Sequence, residues 1–174
     1  QTYTDAVQVG LDATLAGTDV LFSSTLDSEG GETNALTVNG SGVTTFTGIV
    51  GGTDELNTLT TDAAGSVSVN ANVNTLTTQT YNDPVVLTAN VVFDGTLGTF
   101  AQTVDGGANN LTLTFSDVTT LSGNITNVND FTTNGGSTTE INTGVITTTG
   151  TQTYTDAVLV DVATVLTGTD VLFS

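Results

Sequence analysis

Three kinds of side chain in this 174-residue sequence have types and spacings that could do chemistry. The first are carboxylates. Fourteen Asp and four Glu are scattered along the chain, most of them beside Gly, Thr or Asn. The densest cluster is Asp27, Glu29 and Glu32, and the next is Asp54-Glu55. Oxygen ligands of this kind suit calcium, a hard cation. The spacing matches neither an EF-hand loop nor the glycine-rich nonapeptide of calcium-binding β-rolls. The expectation is therefore solvated turns whose mutual repulsion keeps the molecule dispersed, with calcium as the alternative. No catalytic, cofactor-binding or metal-ligating residue is assigned.

The second kind is threonine, present 41 times and often as Thr-x-Thr. Examples are Thr45-Phe46-Thr47, Thr58-Leu59-Thr60, Thr75-Leu76-Thr77 and Thr112-Leu113-Thr114. Strand residues alternate between faces, so an apolar centre predicts outward threonines. Aligned on a flat face, such pairs would order water and bind ice. The pairs are not expected to recur once per coil in fixed register, so threonine is read first as a strand former. The third kind is the triplet Gln-Thr-Tyr, ending at Tyr3, Tyr81 and Tyr154. It is read as a structural corner whose ring packs on a neighbouring layer.

Composition excludes more than it assigns. The chain has 18 acidic residues, no Lys, Arg or His, and a formal net charge of −18. Nucleic-acid binding depends on neutralising phosphates with Lys and Arg, so nucleic acid is not an expected partner. An anionic membrane surface would repel the chain. Without Cys there are no disulfides or thiolate metal sites, and without His the usual zinc ligands are missing. Proton transfer near pH 7 most often uses His; only a carboxylate pair would remain, as in glycoside hydrolases. The acids are dispersed and no aromatic cluster accompanies them, so no catalysis is expected. No apolar run reaches the ~20 residues of a membrane helix, and the opening residues lack the charge and apolar core of a signal peptide.

The positioning elements follow from repetition. Residues 1–23 and 152–174 agree at 16 of 23 positions without a gap, and a third copy opens at Gln79. The units are thus 1–78, 79–151 and the start of a third, 152–174. The sequence starts and stops at the same phase, which predicts a longer array. Apolar runs begin near Val20, Leu36, Val43, Leu56, Val67 and Leu76, separated by Gly, Asn and Asp. Such runs are strands and such separators are turns. Pro84, the single proline, fits a strand start or edge.

The resulting fold class is all-β: a parallel β-solenoid with coils of about 20 residues, one continuous rod about 40 Å long. Tandem immunoglobulin-like sandwiches are the alternative. The solenoid is preferred because corners absorb the unequal lengths of the repeats, because sandwiches want large aromatics whereas a narrow solenoid interior is expected to be filled by Val, Ile, Leu, Ala and Thr, and because stacked coils would let Thr and Asn bond to their own kind in ladders.

The segments Gly150–Tyr154, Thr78–Asp83, Gln1–Val7, Thr44–Thr53 and Leu59–Gly65 resemble the β-strand repeats of giant bacterial surface proteins of the filamentous-haemagglutinin and autotransporter-adhesin type. The resemblance implies a right-handed β-helical stalk on a Gram-negative-type cell surface, with no active site. The functional expectation is a structural segment of an extracellular fibre or adhesin stalk. Its partners would be neighbouring repeats of the same or identical chains, and neutralising the carboxylates near pH 4 would promote lateral bundling. Sandwich-type adhesion modules and an ice-binding solenoid are the alternatives.

Overall fold

The computed structural model describes residues 1–136 and 138–174. Among the described residues there is no helix, and all strand pairing is parallel. Each strand pairs with the strand one coil before and one coil after it, which makes a β-solenoid of about nine coils. Tandem sandwiches are excluded, because their antiparallel hairpins have no counterpart here.

Each coil has three faces. The first face is a ladder of nine strands running from Thr2–Tyr3 through Val20–Phe22, Val43–Phe46, Ser66–Val69 and Val85–Leu87 to Val165–Thr167. The second runs from Val7–Val9 through Leu26–Ser28, an isolated bridge at Val50, Val91–Gly95, Leu111–Phe115 and Phe131–Thr133 to Val171–Phe173. The third runs from Ala13–Gly17 through Leu36–Gly40, Leu56–Thr61, Leu97–Phe100, Val118–Leu121 and Thr138–Ile141 to Ala157–Val160. The long strand Val73–Tyr81 belongs to the second face at Val73-Asn74 and to the third from Thr78, with a register shift between Thr75 and Thr78 where it turns the corner.

Five of the six predicted runs begin within one residue of a strand start, Val67 following Ser66. The exception is Leu76, which lies inside Val73–Tyr81. Pro84 sits just before Val85–Leu87, and its carbonyl accepts the N–H of Val67 at 2.8 Å. Successive coils differ in length: the step along the chain from Ser68 to its partner Val86 is shorter than the step from Leu21 to its partner Thr45. The extra residues of the longer coils lie in the corners between the second and third faces, after Ser28 and after Val50.

Stacking puts like on like inside the rod. Val20, Thr44, Val67, Val85, Val104 and Ile125 form one buried column on the first face. The expectation of an interior filled by Val, Ile, Leu, Ala and Thr is corrected, because the interior also takes large rings. Eight of the ten aromatics are fully buried: Tyr81, Tyr154, Phe22, Phe46, Phe93, Phe100, Phe115 and Phe131. Tyr3, Phe22 and Phe46 stack in sequence at 5.1 and 5.4 Å. Gly98 makes room for one of these rings, because a Cβ there would overlap Phe115.

Among the described residues, the expected interior ladders of hydrogen-bonded threonines do not form. The buried hydroxyls of Thr44, Thr61, Thr75, Thr119 and Thr133 have no partner. These residues pack as β-branched fillers, and the hydroxyl is a cost rather than a bond. Asparagines sit at corners instead. There Asn72, Asn90 and Asn110 each accept a backbone N–H from the next coil, of Val92, Asn110 and Asp130, at 3.0, 2.9 and 3.2 Å.

The sequence repeat is out of step with the coil. Counting the bridge at Val50 and the two halves of Val73–Tyr81 as positions, each Gln-Thr-Tyr lies eleven strand positions after the last. Eleven is one short of four coils. Tyr3 is therefore on the first face, Tyr81 on the third and Tyr154 on the second. The boundary at residue 78 falls within a strand.

Thr44→Val keeps the shape of the filler and removes an unpaired buried hydroxyl. It should stabilise the fold by about 1 kcal/mol, measured as a higher urea midpoint at unchanged slope. A loss of stability would show that the Thr44 hydroxyl is satisfied.

Candidate functional site

The Gln-Thr-Tyr triplets form one recurring polar unit. In each, the tyrosine hydroxyl donates to the glutamine side-chain carbonyl two positions earlier: Tyr3 to Gln1 at 2.8 Å, Tyr81 to Gln79 and Tyr154 to Gln152 at 3.0 Å. The glutamine amide then donates to backbone carbonyls. Gln79 Nε2 reaches Val73 at 3.0 Å and Asp94, on the next coil, at 2.7 Å. Gln152 Nε2 reaches Ile146 at 3.1 Å and Thr167, on the next coil, at 2.8 Å. Gln1 Nε2 reaches Ala16 at 2.7 Å. Gln79 and Gln152 are fully buried.

The expectation of ring packing on the next coil holds, with one correction. The triplets lie in strands, not corners. Each ring stacks on a phenylalanine of the following coil: Tyr3 on Phe22, Tyr81 on Phe100 and Tyr154 on Phe173, at 5.1, 5.1 and 5.0 Å. Burial pushes the Tyr81 and Tyr154 hydroxyls well above the ordinary phenol value. The Gln79 and Gln152 units are thus neutral clasps that close backbone carbonyls between two coils, while the Gln1 unit makes the same Tyr–Gln bond at an exposed position. The raised Tyr81 and Tyr154 hydroxyls stay protonated near pH 7 and serve as hydrogen-bond donors there.

The acidic residues are spread across several roles. Asp27 is buried, and its Oδ1 accepts the N–H of Thr53 at 3.0 Å. Asp12, Asp19 and Asp130 likewise accept the N–H of Ala35, Val43 and Thr151 from the following coil, at 2.8, 2.8 and 2.9 Å. Asp62 accepts from Gly40 of the preceding coil at 3.0 Å. These carboxylates are staples between coils, which corrects their reading as merely solvated turns. Glu32 accepts from Asn34 at 3.0 Å, and Asn34 also donates to the carbonyl of Val9 at 2.8 Å. Glu32, Asp54 and Glu55 line a shallow groove with Gly31, Gly51 and Asn74, formed by the two long corners. Asp94 and Glu55 both line the adjoining groove, and burial raises the pKa of Asp94. Among the described residues no three carboxylates converge as a metal site would require.

The threonines give the clearest surface. Thr14, Thr37, Thr60, Thr80, Thr99 and Thr120 are register partners on six successive coils of the third face. All six point outward, and Glu140 follows them in the column. Alongside runs a second outward column, with Thr58, Thr78 and Leu97 in register. This corrects the expectation of no fixed register: single threonines recur once per coil, although complete pairs stack only as Thr58/Thr60 on Thr78/Thr80. Of the predicted pairs, Thr58 and Thr60 lie on this surface, while Thr112 and Thr114 face outward on the second face. Thr45 and Thr47 point outward on the first face and just beyond it. Thr75-Leu76-Thr77 is inverted: Thr75 is buried and Leu76 is 44% exposed, because the corner shift breaks the alternation.

No family model, curated protein or solved structure matches the chain. The likeness to bacterial surface repeats rests on the motifs alone.

If the clasp closes buried carbonyls, Gln79→Leu should cost about 2–4 kcal/mol and Tyr81→Phe about 1–2 kcal/mol. The double variant should cost clearly less than the sum, since the two groups serve one unit. Additive losses in urea denaturation would separate the two side chains and sink the idea of a clasp.

Proposed function

We propose that the chain is a structural segment of an extracellular bacterial fibre or adhesin stalk. The observation that carries this reading is the nine-strand ladder of the first face, which runs the length of the rod with one register shift between Ile125 and Val128. Ladder bonds join each coil to the next, and the clasps and corner staples add side-chain bonds at the same boundaries. An axial load is then shared among several bonds per coil. The partners in this reading are neighbouring repeats. The outward carboxylates keep rods apart at neutral pH. No residue is assigned a catalytic role, and no cofactor is required.

Single-molecule pulling on the chain, held at its two ends, tests the mechanical role. The expected trace is cooperative resistance followed by release in steps near one coil, about 70 Å of contour for about 20 residues. Smooth extension at low force would overturn it.

The threonine columns favour a second reading, an ice-binding solenoid. Coils repeat at about 4.8 Å and alternate residues of a strand at about 6.7 Å, close to the oxygen repeats of ice. The paired rows Thr58/Thr60 and Thr78/Thr80 present hydroxyls on that lattice without a charge. Thermal hysteresis that disappears in Thr60→Tyr and Thr80→Tyr would establish this function. Its absence at millimolar protein leaves the columns as ordinary outward strand residues and supports the stalk.

A further inference from the structure

The clasp motif carries one more residue. Gln-Thr-Tyr-x-Asp occurs at 1–5, 79–83 and 152–156, so an aspartate follows each tyrosine by two positions. Asp5 is exposed in the first coil. Asp156 is buried and satisfied: its Oδ1 accepts the N–H of Gly136 at 3.0 Å, and its Oδ2 lies 3.5 Å from the Thr139 hydroxyl. Gly136 has φ +78°, the turn conformation that aims this N–H at the carboxylate.

Asp83 is 1% exposed, and neither of its sealed carboxyl oxygens has a hydrogen-bond partner in the protein. The contrast has a local cause. The register that pairs Thr133 with Tyr154 puts Gly135-Gly136 opposite Asp156. The register that pairs Thr61 with Tyr81 puts Ala63-Ala64 opposite Asp83, and no N–H from that corner is directed at it. The charged group facing Asp83 is Asp62 of the preceding coil, itself engaged by Gly40. On the following coil, the register of Tyr81 with Phe100 aligns Asp83 with the uncharged Gln102. With no Lys, Arg or His in the chain, no side chain can neutralise Asp83. A proton can, and it needs no space.

We propose that Asp83 is a proton latch: the folded solenoid protonates it in mild acid that leaves ordinary carboxylates ionised, and the coil boundary it occupies is held more firmly there than at neutral pH. Burial first, and the Asp62 charge second, push its pKa from 3.8 to about 6. The sign follows from linkage. Above pH 6 the carboxyl is ionised in both folded and unfolded chains, and only the folded chain holds that charge buried. Well below pH 4 it is neutral in both, and the penalty is gone. Stability from this group therefore rises as pH falls from 6 towards 4, by at most roughly a hundredfold in the folding equilibrium.

The test is urea denaturation between pH 4.5 and 7.5 of the wild type, Asp83→Asn and Asp156→Asn, with and without millimolar calcium at matched ionic strength. Relief of general charge repulsion acts on all three proteins alike, so the comparison isolates Asp83. The expected result has Asp83→Asn more stable than wild type at pH 7.5 and with a shallower gain on acidification, while Asp156→Asn keeps the wild-type slope. An Asp83→Asn variant that is less stable at pH 7.5, or that keeps the full wild-type slope, overturns the proposal. So does a calcium stabilisation present in the wild type and lost in Asp83→Asn, which would make the corner a cation site.

Discussion

Everything in this molecule depends on backbone pairing between successive coils. Once each strand bonds to the same strand one coil on, every side chain is held about 4.8 Å from its counterpart. An inward position must then be filled by residues that tolerate their own kind above and below. Valine, isoleucine and ring-on-ring stacks meet that condition. Threonine meets it by shape, at the expense of a stranded hydroxyl, as at Thr44 and Thr119. The corners, where ladder bonding lapses, are where polar side chains become necessary.

The absence of cationic side chains shapes how that need is met. Most proteins can neutralise a partly buried carboxylate with Lys or Arg. Here the donors are backbone N–H groups, amides and hydroxyls. Asp12, Asp19, Asp27 and Asp130 use the N–H of an adjacent coil, and asparagines do the same work without charge. The Gln-x-Tyr clasp solves the complementary problem, buried carbonyls lacking a donor, with a single neutral group.

The architecture was legible because repetition, alternation and turn residues all pointed to short stacked strands. The clasp had a readable signal as well: Phe22, Phe100 and Phe173 follow Tyr3, Tyr81 and Tyr154 at one constant spacing, a coil away. Other features were hidden by uneven coil length. The column Thr14, Thr37, Thr60, Thr80, Thr99 and Thr120 advances by unequal steps from coil to coil, so no fixed period betrays it. The inversion at Thr75-Leu76-Thr77 was unreadable because alternation holds only while a strand stays on one face. Whether an aspartate is solvated or staples two coils depends on what the next coil brings beside it. The likeness to bacterial surface repeats stayed at the level of motifs, and function was not written in any of them.

The eleven-strand offset between copies bears on how such a chain can lengthen. Copying the unit sends each of its residues to a different wall of the rod, one wall back with every copy. A duplicate is accepted only if the three walls are interchangeable as neighbours for its side chains. The unit that matters in copying is therefore the strand count, not the residue count. This is why units of unequal length, 1–78 and 79–151, coexist in one rod. A fourth unit would open on the starting wall, eleven coils after the first and about 53 Å along the axis. Any mark borne once per unit would wind around the rod like the thread of a screw.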